Sequence, residues 1–332
     1  MKQSHNSRRR ILSMAAGSAA ALVLPFSSRA QAYPSSPIRI IVGFPPGGGA
    51  DAFARLFAPY LSEKLGQPIA VENKTGANGN VATEFVSKAK PDGYTLLLST
   101  SSAVVAAPNA FPNMPAHPLR DLTAISMAVE SEFILITNPS LEAKTYKSFV
   151  ALAQKSPGKI IHASPGIGSV NHVAAELLSL RDGMKQNTVH YRGTGPIITD
   201  LLANQVNMTM TSMSVAEQYI KTGRAGALLV LGKNRLPQIP DVPTSAELGI
   251  NDVDRITFWL SLHGPKGMPK PIVDKIYEAL VATFQVTALR EKVIATGNRP
   301  VASTPAAFTA RIESDIKLYG EIFKAANIKI EQ

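Results

Sequence analysis

Apolar and polar positions along this chain follow two alternating patterns. Residues 38–43 are an apolar, β-branched run, which predicts a buried strand. Pro45-Pro46-Gly47-Gly48-Gly49 then breaks any regular element. From 50 to 65 the pattern changes period: Phe53, Leu56, Phe57, Tyr60, Leu61 and Leu65 share one helical face, Gly66 follows as a stop, and Pro59 is expected to bend the helix. The same alternation continues. Strands are predicted at 69–72, 94–99, 123–129, 133–137, 159–163, 188–191, 206–211 and 227–231. Helices are predicted at 80–89, 145–154, from the turn at 166–169 to about 180, from Pro196 to 203, and at 215–221, 270–283, 288–295 and 305–325.

Strands alternating with helices predict an α/β sheet protein. About 300 residues after the leader described below exceed one comfortable doubly wound sheet, so two domains are expected. No flexible linker separates them. Chain crossings are therefore expected near 130–133 and 254–258, giving one discontinuous domain (33–131 plus 256–332) and a second at 132–255. No internal sequence repeat stands out.

Composition changes the picture in two places. The 34 Lys and Arg against 24 Asp and Glu give a net charge of +10. Five of the basic residues and none of the acidic ones fall in residues 1–32, so the rest is only mildly basic. Its cations are scattered, without the stripe a nucleic-acid binder carries. The chain has no cysteine, which excludes disulfides, thiolate catalysis and Cys-ligated metals.

Residues 1–32 read as an export signal. Arg8-Arg9-Arg10 precedes an apolar stretch, and Ala30-Gln31-Ala32 supplies the small-x-small cleavage pattern. The arginine pair before Ile11-Leu12 resembles a twin-arginine signal. Cleavage after Ala32 and a soluble, periplasmic product are expected.

The candidate chemistry lies where a strand meets a Gly-rich turn and then a helix: at 44–51, 164–169 and 192–196. Ligands of α/β folds bind beyond the carboxyl ends of strands, where helix N-termini favour anions and glycine lets a ligand approach the backbone. None of the three turns has the spacing of a P-loop or a dinucleotide fingerprint. Asp51 and Ser169 read either as helix caps or as ligand groups, and Arg192 as a cation beside a glycine turn. Gly168→Val is expected to block ligand approach while leaving the fold intact. His172 and His190 stand in no metal or hydrolase motif, and no cofactor or metal site is predicted.

Several stretches together resemble the tripartite tricarboxylate transporter receptor (Bug-type) family. They are Phe44-Pro45-Pro46-Gly47-Gly48-Gly49-Ala50-Asp51, Pro91-Asp92-Gly93-Tyr94, Gly166-Ile167-Gly168-Ser169 with His172, Tyr191-Arg192-Gly193-Thr194-Gly195-Pro196, Pro240-Asp241-Val242-Pro243-Thr244 and Trp259. The order and spacing hold over nearly the whole chain after residue 32. The resemblance implies a two-domain, type II periplasmic-binding fold that closes on a ligand in the cleft between its domains. It also implies a small carboxylate ligand (a di- or tricarboxylate, an acidic amino acid or an aromatic acid) and a large and a small membrane permease subunit as partners. The monomer is the expected form. The candidate ligand set is Pro46, Gly47, Gly48, Ala50, Asp51, Asn80, Ser101, Ser164, Gly166, Gly168, Ser169, Arg192, Gly193 and Thr194. Two other readings remain at this level: a ligand sensor docking a membrane kinase, and an exported hydrolase using Ser169 with His172.

Overall fold

Eleven strands among the described residues fall into two sheets with the same internal plan. The computed structural model describes residues 33–111, 113–191, 193–250 and 253–328; the export signal and Arg192 lie outside these.

The first sheet starts as the pattern predicts. β1 (Ile38–Val42) leads through the glycine turn into α1 (Gly49–Leu65), then β2 (Ile69–Asn73), α2 (Asn80–Ser87) and β3 (Thr95–Thr100). Pro59 lies inside α1, and the helix nevertheless runs on to Leu65, where Gly66 closes it in the left-handed conformation. β4 (Leu122–Ser131) and β5 (Phe133–Thr137) are separated by Glu132 alone, yet they belong to different sheets.

The second sheet is built from β5, α3 (Tyr146–Lys155), β6 (Ile160–Ser164), α4 (Val170–Arg181), β7 (Gln186–His190), α5 (Thr194–Leu202), β8 (Met208–Ser212), α6 (Met213–Lys221) and β9 (Gly226–Leu231). The chain returns to the first sheet as β10 (Phe258–Pro265) and ends with α7 (Lys270–Phe284), α8 (Thr287–Ala295), β11 (Arg299–Pro300) and α9 (Pro305–Ala325). The alternation did not predict β10. It is buried almost throughout, so it shows no polar face, and its Ser261 Oγ lies 2.9 Å from His263 Nε2.

Strand order is β11-β4-β10-β3-β1-β2 in one sheet and β7-β6-β8-β5-β9 in the other. Each sheet thus contains four mutually parallel strands, with one antiparallel strand inserted between the third and the fourth. The inserted strand is β10 in the first sheet and β5 in the second; β5 follows β4 across Glu132 alone, and β10 follows β9 after residues 232–257. This is the arrangement the resemblance implied.

Register fixes where the two sheets meet. Phe133, the first residue of β5, pairs with Ser212 and Leu231, the last residues of β8 and β9. Phe258, the first residue of β10, pairs with Ser131, the last of β4. The carboxyl edges of both sets of parallel strands therefore converge on the crossing at Glu132. One apolar cluster runs through both halves, from Phe133, Phe149 and Val173 to Trp259, Phe308 and Tyr319. Trp259 is fully buried, edge-on to Phe308 at 5.4 Å, and is a core residue.

Candidate ligand site at the facing strand ends

The carboxyl edges carry the helix starts at the three turns that the sequence singled out, those of α1, α4 and α5, and also the starts of α2 and α6. α1, α2, α5 and α6 begin there, after Gly48, Gly79, Gly193 and Ser212, and no side chain caps any of the four. The first N–H groups of a helix have no intrahelical acceptor, so these ends offer donors and partial positive charge.

The turn before α1 is shaped by Asp51. Its carboxylate, 2% exposed, accepts from Gly47 N–H at 2.8 Å, from Asn73 Nδ2 at 2.9 Å and from Arg55 Nε at 3.0 Å. The Arg55 bond, with help from Gly47 and Asn73, outweighs burial and holds its pKa down to about 2. Gly48 N–H turns back to Pro45 O at 3.2 Å. The N–H groups of Gly47 and Gly48 are thus engaged within the turn, and the open donors of this segment are those of Gly49 and Ala50. Pro46 has no N–H and stands exposed at the tip. Asp51 orders the turn and has its oxygens filled by the protein itself. Arg55 and Asn73 were not singled out from the sequence. The Asp-to-Arg spacing of four on one helix is the signal that would have found the first.

The turn before α4 is tied more tightly. Ser164 Oγ donates to Gly166 O at 2.8 Å and lies 3.0 Å from Ser169 Oγ. Ser169 caps α4 by accepting from His172 N–H at 3.3 Å. Ser102, from the segment after β3, accepts from Val170 N–H at 3.3 Å and so joins the two halves. Gly168 differs from expectation. Its φ is +67°, its N–H donates to His172 Nδ1 at 3.1 Å, and an added Cβ would stand 2.9 Å from Phe323 Cζ and 3.0 Å from Ala110 Cβ. A side chain there meets the protein's own packing in a left-handed backbone, so Gly168→Val is expected to destabilise the fold as well as the turn.

Ser101 is fully buried, with its hydroxyl accepting from Trp259 N–H at 3.4 Å. Asn80 opens α2, and its Oδ1 is buried without a hydrogen-bond partner. Gly193, at φ +105°, and Thr194 start α5, where nothing stands within 4 Å of a Cβ added at Gly193 or Gly195. Within the predicted set, Asp51, Ser164, Gly168 and Ser169 shape the turns, while Ala50, Asn80 and Thr194 offer open donors or spare capacity; Gly49, outside that set, adds another donor.

The hydrolase reading fails on geometry. His172 presents Nδ1 to Gly168 N–H and Nε2 to Glu176 Oε1 at 3.5 Å, so neither ring nitrogen serves Ser169 Oγ as a base.

Comparison with known proteins agrees with the architecture. The family described as "Tripartite tricarboxylate transporter family receptor" matches residues 53–328. Protein BugT of Bordetella pertussis is 35% identical over 303 residues, spanning 91% of this chain and 93% of BugT. The structure of the periplasmic binding protein BugD superposes with a TM-score of 0.80 at 30% identity, over 90% of this chain and all of BugD. The structure of R. palustris Rpa4515 with adipate gives a TM-score of 0.82 at 26% identity, over 90% of this chain and 99% of that one. The shared two-sheet plan, the glycine turns at the facing strand ends and these matches place the chain in the tripartite tricarboxylate transporter receptor family, a family of solute receptors and not of enzymes.

Proposed function

We propose that this receptor captures a small carboxylate between its two sheets, outside the cytoplasm, and delivers it to a large-plus-small membrane permease pair. The observation that carries the reading is the convergence of four uncapped helix starts on facing strand ends. Backbone donors of Gly49, Ala50 and Thr194, and the spare Oδ1 of Asn80 through a water or a ligand hydroxyl, suit a carboxylate with hydrogen-bonding groups. Rpa4515, with its adipate, supports the ligand class.

The working domains are 33–131 plus 256–332 and 132–255, hinged at Glu132 and at the segment before Phe258. Closure follows from a ligand that binds both edges better than either alone. Residues 1–32 direct export and are removed after Ala32. No helix among the described residues is long and apolar enough to cross a membrane.

A thermal-shift screen of C4–C6 dicarboxylates, citrate, glutamate and aromatic acids tests the reading. An acid present at about 100 times its Kd adds about 2.7 kcal/mol, a rise of several degrees in Tm. A folded protein that none of these acids stabilises overturns the carboxylate assignment.

A further inference from the structure

His172 is 6% exposed and sits beneath the Gly166–Ser169 turn. Its Nδ1 accepts Gly168 N–H at 3.1 Å. An accepting ring nitrogen carries no proton, so the neutral ring is protonated on Nε2, which faces Glu176 Oε1 at 3.5 Å. Glu176 is itself held by Thr188 Oγ1 at 3.2 Å and Gln186 Nε2 at 3.3 Å, both from β7. We propose that His172, in the Nε2–H tautomer, is the positioning residue of the Gly166–Ser169 turn, and that a second proton on Nδ1 releases Gly168 and weakens ligand capture. The ligand half of this statement rests on the carboxylate-receptor reading; the coupling of tautomer to turn does not.

The argument is one of donors and acceptors. A protonated Nδ1 points its N–H at the N–H of Gly168, two donors with no acceptor between them. The same proton strengthens the pairing of the ring with Glu176. Protonation thus exchanges one partner for the other, and the turn loses its tie. Among the described residues, the titratable groups that face the ring are Glu176 on its own helix, His162 on β6 at 6.4 Å between ring centroids, and His190 on β7 at 4.8 Å. Burial, then repulsion from His172, pushes His162 down to about 3, and the same two causes lower His190. Burial works to raise Glu176, but hydrogen bonds from His172 and Gln186 outweigh it and keep the carboxyl below its usual range. An anionic Glu176 facing Nε2 is the partner the ring keeps when Nδ1 takes a proton and Gly168 is released. Gly168 also packs on Phe323 and Ala110, so a released turn disturbs the contact between the second sheet's loop and α9.

The test is a ring-15N and amide NMR titration of the ligand-free full chain from pH 8 to pH 5. The expected result is an Nε2–H tautomer for His172 at pH 7.5 and a Gly168 amide resonance that moves with the His172 ring titration. His172→Asn places Oδ1 where Nδ1 stood and does not titrate. It should hold Gly168 at every pH, whereas His172→Gln should release it at every pH. With the acid that stabilises most in the thermal-shift panel, wild-type affinity should fall roughly five- to tenfold further between pH 7.5 and pH 5 than that of His172→Asn, which carries the ligand's own titration; that difference is the scale of one lost hydrogen bond. A Gly168 amide indifferent to His172 protonation overturns the proposal. An amide that titrates while wild type and His172→Asn lose affinity alike removes its ligand half. Failure of every acid to bind sinks the receptor reading and leaves the amide readout standing.

Discussion

Thr257 donates its hydroxyl to Glu130 Oε1 at 2.7 Å, a bond that joins the two places where the chain passes between sheets. Glu130 stands two residues before the outgoing crossing at Glu132, and Thr257 immediately precedes the returning strand β10. Two arginines from the C-terminal part converge on the same carboxylate: Arg299 Nη2 at 2.5 Å and Arg311 Nη1 at 3.4 Å. Arg311 also donates to Thr257 Oγ1 and to Arg255 O, each at 3.1 Å. The proposed hinge is therefore braced by charge from the first sheet's side.

Removing that brace should be costly. Glu130→Ala leaves the half-buried Arg311 short of an acceptor and Thr257 without its own, while the more exposed Arg299 is resolvated. The expected loss is about 2–3 kcal/mol in a urea melt at pH 7. Glu130→Gln keeps an acceptor for Thr257 and should lose about half as much. Wild-type stability in the alanine variant would show that the cluster braces nothing.

Asp51 sets a different acid limit. Its folded pKa of about 2 lies below the unfolded value, so its contribution is complete above pH 4 and is lost as pH falls through 2. Asp51→Asn should cost on the order of 1–2 kcal/mol at pH 7, and the gap to wild type should close near pH 2. A constant gap across that window would assign the loss to packing alone.

His162 and His263 are fully buried, and burial, the larger cause at both, lowers each to about 3. The unfolded chain protonates them near pH 6.5, so their share of stability is whole above that value and declines as pH falls towards 3. Between pH 7.5 and pH 5 each should cost about 2 kcal/mol. Replacing His263 by Asn should remove about one proton from the uptake on unfolding, read from the slope of stability against pH.

Gly195 and Gly168 should respond oppositely to alanine. Gly195 has no positive φ and nothing within 4 Å of a Cβ, so Gly195→Ala should keep wild-type Tm and reveal by its affinity alone whether α5 touches the ligand. Gly168→Ala forces a side chain into φ +67° against Phe323 and Ala110 and should cost about 1–3 kcal/mol. A Gly168→Ala protein of unchanged Tm would mean that α9 yields at that contact.

Local chemistry was legible wherever one segment carries its own instructions. Pro45 to Gly49 forbids regular structure, Gly66 supplies the left-handed stop of α1, and Ser169 caps α4 from three residues away. Asp51 shows the limit of that reading. Its capping tendency is local, but the Asn73 that completes its shell comes from β2, 22 residues on. Gly168 was read as room for a ligand because a glycine after a strand usually marks a turn or a close approach. The neighbour that needs the room, Phe323, lies on the last helix.

By itself the sequence determined the alternation of strands and helices and the three glycine turns, because hydrophobic period and Gly/Pro punctuation act over a few residues. Only the tertiary structure decided that β5 and β10 are exchanged between two sheets of one plan. It also decided that Glu130 and Thr257, 127 residues apart, are joined by a hydrogen bond, and that Val170 N–H meets Ser102 of the other half. Those pairings depend on strand order and register, which arise when distant apolar surfaces are buried together, and no local pattern encodes them.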